Sequence, residues 1–246
     1  MPRKKKQLDG LTPEQRHLAM CELAKRDCHT FVFEFCKTRY RKRILRDTSL
    51  GKDPQTLTDM DFIWTNVIER IPRYPYIEKM LDCLLSYNKL ALPKSRQILA
   101  TWVVLAYCLW YARFKKCANI YLQKEKESEA GFGDPIDSLG SRTEFLHKNL
   151  PDELKDAEFV TRISPPLLSF PESGSAVMGL AAGPNQSRGK APSIIVVDEA
   201  AFQRFLRDTL ATMIPLAETG AQIVLISTVN GKETFYDTVS DGGQLC

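Results

Sequence analysis

The sequence feature that most limits how this 246-residue chain can fold is an apolar run followed by two acidic residues. The run Ile194–Val197 is followed directly by Asp198 and Glu199. A strand that is apolar on both faces fits a parallel sheet with helices on each side. Because ligands bind α/β sheets at the carboxyl ends of their strands, the two carboxylates are expected at a ligand-binding edge. The alternative is a buried strand whose next helix merely starts with acidic residues.

Short apolar segments alternate with helical segments through the last two thirds of the chain. We predict strands at 90–92, 118–122, 159–163, 167–170, 176–180, 194–197 and 222–226, and helices at 98–115, 143–150 and 202–216. This alternation predicts an α/β core over residues 88–246, built on a parallel sheet flanked by helices.

Residues 1–87 have a different pattern, and we predict a helical N-terminal region there. Thr12 and Pro13 are a helix-start signal, and Pro72 is a stop signal. The predicted helices cover 13–25, 28–36, 59–71 and 76–87, with a loop at 47–55. The first ten residues look disordered.

The net charge of +4 is too small to indicate a nucleic-acid partner by itself. Basic residues are nevertheless clustered at 3–6 and at 39–46. Such clusters either neutralise phosphates or belong to a solvated tail and a solvated helix end.

Cysteine spacing and hydropathy exclude several other classes of protein. None of the seven cysteines is in a Cys-x-x-Cys pair and only three histidines are present, so zinc ligation is not expected. Reduced thiols in a cytosolic protein are the simplest interpretation. No apolar run follows the basic start, and the most hydrophobic stretch, 102–114, is too short to cross a membrane.

The turn between the first core strand and the long helix is a candidate phosphate loop. Its sequence, Lys94 to Thr101, fails the standard G-x-x-x-x-G-K-[ST] pattern, because Leu99 and Ala100 stand where the second glycine and the lysine belong. Thr101 matches the magnesium-binding hydroxyl, and the helix start offers backbone N–H groups to phosphates. Lys94 and Arg96 are the basic residues of the turn. A basic surface turn without a ligand is the alternative.

The acidic pair completes a nucleotide-site interpretation. In a Walker B strand, Asp198 would hold Mg²⁺ and Glu199 would polarise the attacking water as general base.

The loop sequence resembles that of tailed-phage large terminases. Their phosphate loop often reads Ser-Arg-Gln in its middle, as in Ser95-Arg96-Gln97, and some members carry the lysine at the loop start, where Lys94 stands. The resemblance implies that these residues and Thr101 bind ATP. Most members keep glycine at the position of Leu99.

Three more segments extend the resemblance over roughly residues 72–235. Arg188 stands in an Arg-Gly pair before the Walker B strand, where the family carries an arginine finger that acts on a neighbouring subunit's ATP. Ser227, Thr228 and Asn230 resemble the coupling motif, whose strand lies between the P-loop and Walker B strands. Tyr76 occupies the place where the family contacts adenine. A solvated loop arginine, an Asn-Gly turn and a core tyrosine are the alternatives.

The resemblance implies an ASCE-type P-loop ATPase that uses ATP and Mg²⁺ to move double-stranded DNA into a procapsid. It also implies a homo-oligomeric ring, portal protein and terminase small subunit as partners, and a location in the host cell cytoplasm. The family's nuclease acids lie well beyond the coupling motif, so DNA cleavage is not expected of this chain. Two rivals remain: a superfamily 2 helicase fragment, and a degenerate P-loop module that binds DNA or acts as a scaffold without hydrolysis.

Overall fold

The computed structural model describes residues 11–46, 49–95, 98–132, 138–183, 186, 191–231 and 234–240. In these ranges the helices are α1 (Pro13–Arg26), α2 (Cys28–Thr30), α3 (Pro75–Ser86), α4 (Ala100–Phe114), α5 (Glu127–Ala130), α6 (Leu139–Lys148), α7 (Leu206–Glu218) and α8 (Thr234–Ser240). The strands are β1 (Lys37–Leu45), β2 (Phe62–Arg70), β3 (Lys89–Pro93), β4 (Asn119–Lys124), β5 (Val160–Arg162), β6 (Leu167–Phe170), β7 (Ser175–Ala181), β8 (Ile194–Asp198) and β9 (Gln222–Ser227).

A seven-stranded sheet in the order β3-β9-β8-β4-β7-β6-β5 forms the centre of the fold. The first five strands in this order are parallel, whereas β6 runs antiparallel to both of its neighbours. The predicted α/β fold with a largely parallel sheet is therefore confirmed. Strand β9 lies between β3 and β8, which is the order that the resemblance implied for the coupling strand.

Hydrophobic cores cover both faces of the sheet. On one face, Val196 of β8 packs in a core with residues of α4 and α3; on the other face, Val197 packs with residues of α7. Thirteen of the fifteen residues of α4 are buried, which explains why its sequence is apolar all round. Because every residue of β8 and β9 is buried, the site at their carboxyl ends stands on a rigid support.

The N-terminal region is only partly helical, and the predicted helix at 59–71 is wrong. Residues Phe62–Arg70 form β2, which pairs antiparallel with β1 in a separate two-stranded sheet. Thr58, directly before the predicted helix, forms a capping box with Asp61. That box closes a single 3-10 turn, because the β-branched and aromatic residues that follow favour a strand once β1 supplies a partner.

The helices predicted at 13–25, 28–36 and 76–87 are confirmed as α1, α2 with the π-helical turn Phe31–Phe35, and α3. The basic cluster at 39–46 therefore lies mostly on β1 and not at a helix end. Arg39 of this cluster places its guanidinium 4.9 Å from the ring centre of Phe145. The basic tip at 3–6 lies outside the described residues.

In the part of the chain described, no helix is both long enough and apolar enough to cross a lipid bilayer. The described cysteines are free: Cys117 is exposed and Cys83 half-buried, and the buried ones are Cys21, Cys28, Cys36 and Cys108.

His147 is buried at the end of α6 in a neutral form. Its ring stacks on Phe159 with 4.1 Å between ring centres, and its Nε2 accepts a hydrogen bond from the Asp156 N–H at 3.0 Å. Burial, with a smaller contribution from the Arg113 charge, lowers the pKa of His147 to about 4. Protonation therefore opposes the folded packing at this position.

We expect His147 to make the fold acid-sensitive. An unfolded histidine has a pKa of about 6.5, so between about pH 6.5 and 4 the unfolded chain binds more protons than the folded chain. Above that window, neutral His147 makes its full contribution to the free energy of unfolding. This contribution is lost as the pH falls through the window, and the total loss is on the order of 3 kcal/mol. Urea unfolding across this range should show a flatter pH dependence for His147→Gln. A slope unchanged by His147→Gln would refute the assignment.

Candidate nucleotide site at the carboxyl edge of the sheet

Asp198 lies at the carboxyl end of β8 and faces the first turn of α4. The Thr101 hydroxyl donates a hydrogen bond to Asp198 Oδ1 at 3.3 Å, and both residues are buried. The two are 97 positions apart in sequence, so the fold itself brings them together. They are the pair that the sequence analysis assigned to Mg²⁺.

The surroundings of Asp198 suit a bound cation. Burial raises the pKa of Asp198 above its ordinary value, and the Glu199 charge acts in the same direction, while Lys94 and Lys124 act to lower it. A buried carboxylate beside a hydroxyl is an oxygen donor set of the kind that Mg²⁺ prefers. The residues present therefore fit the metal that a nucleotide site requires.

Lys94 joins this cluster from the end of β3. Its backbone N–H donates to Ser227 O at 2.8 Å, and its Nζ lies 3.5 Å from Thr101 Oγ1. The ammonium group therefore stands at the amino end of α4, where phosphates bind to free N–H groups. Ala100 is buried and carries no charge, so it cannot replace the usual lysine. Ser95 is exposed in the same turn, and Arg96 and Gln97 lie outside the described residues.

Leu99, at the position of the pattern's second glycine, has a left-handed backbone conformation that glycine adopts readily. Its φ of 60° and ψ of 7° lie in the left-handed region, directly before the first residue of α4. A left-handed conformation costs a residue with a Cβ about 1–2 kcal/mol. The side chain is half-buried against the core, which offsets part of this cost. The loop thus keeps its turn at Leu99 despite the missing glycine.

We expect Leu99→Gly to be about 1 kcal/mol more stable than Leu99→Ala, since both lose the same packing and only glycine relieves the strain. Inside a helix the order is reversed, and Ala211→Gly on the exposed side of α7 should cost about 0.5–1 kcal/mol. Denaturant unfolding of the three variants measures both differences. An alanine variant at 99 that is as stable as the glycine variant would show that the turn carries no strain.

Lys124 is a site residue that the sequence analysis missed. It ends β4, beside β8, and its Nζ lies 3.5 Å from Glu199 Oε2. The Lys124 side chain is 13% exposed and that of Glu199 is 51% exposed, so the lysine is fixed while the glutamate faces solvent. Glu199 itself has a φ of 53°, a strained conformation of the kind that collects at functional sites. The carboxyl ends of all the parallel strands lie at this edge of the sheet. A search for polar residues at the ends of the predicted strands would therefore have found Lys124.

The predicted coupling residues contact the turn that follows Glu199. Ser227 Oγ accepts a hydrogen bond from the Ala201 N–H at 3.0 Å and donates to Thr228 O at 2.8 Å. The Asn230 amide donates to Ala201 O at 3.5 Å. Since Ser227 O also accepts the Lys94 N–H, one residue of β9 links the phosphate loop to the segment after the acidic pair.

Comparison with known proteins places this arrangement in a known fold. No family model and no curated protein matches the sequence. Among solved structures, the large terminase of bacteriophage HK97 superposes with a TM-score of 0.55 at 12% identity, over 82% of this chain. The fold is that of a phage large terminase.

The chain spans 37% of the length of the HK97 large terminase. The ATPase domain of a Thermus phage large terminase is also similar, with a TM-score of 0.47 and 16% identity over 68% of this chain and 69% of that one. The superposition on the HK97 large terminase confirms, at the level of the fold, the resemblance inferred from the loop and strand motifs.

Tyr76, which was predicted for the nucleotide site, has no contact with the cluster among the described residues. Tyr76 lies in the first turn of α3, 43% exposed, and stacks on Tyr74 with 5.7 Å between ring centres. Its role as an adenine contact stays a prediction. Arg188, the predicted arginine finger, lies outside the described residues.

Proposed function

We propose that this chain is the ATP-hydrolysing motor part of a phage large terminase, which moves double-stranded DNA into a procapsid. The observation that carries the proposal is the meeting of Lys94, Thr101 and Asp198 at the carboxyl edge of a sheet with the terminase fold. These residues come from three separate elements, and together they supply a cation, a hydroxyl and a carboxylate at the start of a helix. A site of this composition suits a nucleotide triphosphate with its metal.

Each residue of the cluster then has a role. Thr101 and Asp198 would hold Mg²⁺, which would neutralise negative charge on the phosphates. Lys94 supplies positive charge to the phosphates from the start of the loop. Glu199 orients the attacking water and accepts its proton. We assign Arg188 to the site of a neighbouring subunit, where an arginine stabilises the charge that develops as the γ-phosphoryl group leaves.

Coupling to movement uses the contacts of β9. Ser227 and Asn230 bond both polar backbone groups of Ala201, so a shift at the phosphate loop reaches the turn after Glu199 through one strand. We propose a ring of such subunits on the procapsid in the host cytoplasm, with portal protein and terminase small subunit as partners. These partners are inferred from the terminase fold.

A degenerate module without hydrolysis is the alternative, and the specific observation that favours it is the pair Leu99 and Ala100. The first strains the loop and the second removes its usual charge. In that case the carboxylates at the sheet edge would have no metal to hold, and their replacement would change only stability.

Asp198→Asn tests the proposed function. Because burial raises the pKa of Asp198, the folded state penalises the ionised form, so stability due to this group falls as the pH rises through its pKa. At neutral pH we therefore expect Asp198→Asn to melt at an unchanged or higher temperature without ligand. It should lose both the rise in melting temperature with MgATP and phosphate release.

Asp208→Asn, a change of the same kind on the exposed side of α7, is the matched control and should behave as the wild type. Wild-type protein that gains no stability from MgATP, at concentrations that allow assembly, would favour the non-hydrolysing alternative. Wild-type behaviour of Asp198→Asn would remove Asp198 from the site.

A further inference from the structure

A second group of metal-binding side chains lies away from the sheet edge, between α1 and the segment that follows α6. His17 and Cys21 are four residues apart and therefore share one face of α1. Glu153 comes from the 3-10 turn Asp152–Leu154 and reaches the same point. His17 Nε2 lies 3.4 Å from Glu153 Oε2 and 3.7 Å from Cys21 Sγ, and the three ligand atoms all lie within 4.8 Å of one another.

These separations fit one tetrahedral ion. With zinc–sulfur and zinc–nitrogen distances of about 2.3 and 2.0–2.1 Å, tetrahedral angles place sulfur and nitrogen about 3.6 Å apart, and nitrogen and oxygen about 3.3 Å apart. The two contacts of His17 are within about 0.1 Å of these values. The carboxylate of Glu153 is on a half-exposed side chain, so it can close the remaining distance to sulfur by rotation.

We propose that His17, Cys21 and Glu153 bind a zinc ion, with a fourth position open to water. Thiolate, imidazole and carboxylate together select zinc over magnesium, which prefers oxygen ligands alone. Cys21 is 2% exposed and anchors the ion on the inner side, while His17 and Glu153 are accessible from solvent and leave an entry path. A cavity of about 360 Å³ lined by His17 and Met20 adjoins the imidazole on the solvent side.

The proposed zinc site is independent of nucleotide binding, and its role is to stabilise the fold. An ion held by α1 and by residue 153 would fasten the N-terminal region to the α/β core. The sequence analysis did not expect zinc because it looked for paired cysteines, whereas three ligands from two distant segments leave no such spacing.

Cobalt(II) is the probe, because tetrahedral cobalt–thiolate sites absorb in the near ultraviolet and the visible. Titration of the full chain under reducing conditions should give these bands at one equivalent, and zinc should abolish them while magnesium should not. Cys21→Ser should lose the bands. Cys117→Ser, which removes an exposed thiol, should keep them. Zinc at about a hundred times its dissociation constant should raise the melting temperature by about 5 °C or more.

His17→Ala and Glu153→Gln change exposed side chains and provide variants that do not disturb the core. Each should weaken cobalt binding at least tenfold. The proposal would be overturned if the wild type gave no bands, if Cys21→Ser kept them, or if Cys117→Ser lost them. Unchanged cobalt affinity in both His17→Ala and Glu153→Gln would also overturn it.

Discussion

Glu199→Gln should slow phosphate release by two orders of magnitude or more, the range for a positioned general base, while MgATP still stabilises the protein. Glutamine has nearly the size of glutamate, but it cannot accept the proton of the attacking water. Glu199 follows the buried strand β8 and is half-exposed at the site edge, so the substitution disturbs no packing. Binding should survive because the proposed metal and phosphate contacts belong to Asp198, Thr101 and Lys94.

The measurement is single-turnover hydrolysis with a parallel melting assay in MgATP. Glu218→Gln, at the exposed end of α7, is the matched control and should leave both quantities unchanged. Phosphate release by Glu199→Gln at the wild-type rate, in a protein shown to hydrolyse ATP, would remove Glu199 from the role of base.

The ion pair with Lys124 bears on this assignment. Glu199 and Lys124 lie 3.5 Å apart at neighbouring strand ends, and only the lysine is well covered. Because the glutamate is half-exposed, solvent screens its attraction to the lysine, and it can leave the pair for a water molecule at little cost. The lysine thus orients the glutamate without fixing it, which is compatible with a base that works only when the nucleotide is in place.

The sequence predicted the α/β core well because its strands are apolar on both faces. Strands β8 and β9 are buried along their whole length, and no amphipathic helix has that pattern. Site residues that stand directly at a strand or helix end, such as Asp198 and Thr101, could be paired from topology alone. The contact between the two could be expected because each position follows from where an element ends.

The parts that could not be predicted depend on partners distant in sequence. The strand β2 is stabilised by β1, and without knowledge of that pairing the segment 59–71 was predicted to be a helix. Lys124 has no motif around it and enters the site only because β4 lies next to β8. The left-handed turn at Leu99 was also unforeseen, since leucine has no preference for it and the fold imposes it.

Lys94→Met should abolish measurable hydrolysis and weaken ATP binding, which would mark Lys94 as the cation of the deviant loop. Methionine keeps the length of the side chain and removes its charge. A lysine ammonium is a compact point charge that suits the β- and γ-phosphates, and Lys94 Nζ already stands 3.5 Å from Thr101 Oγ1. The backbone bond from Lys94 N–H to Ser227 O does not depend on the side chain, so the fold should remain intact.

Two matched lysines separate a local role from a general loss of charge. Lys89→Met, at the opposite end of β3, should leave ATP binding and hydrolysis as they are. Lys124→Met should leave ATP binding near the wild-type value, because its ammonium pairs with Glu199 and not with the phosphate loop. Calorimetric titration with MgATP and phosphate release give the two readouts. If Lys94→Met stays active and Lys124→Met loses ATP binding, then Lys124 is the cation that reaches the phosphates. The charge would then enter the site from β4, which two strands separate from β3 and its loop, and the assignment of Lys94 would be wrong.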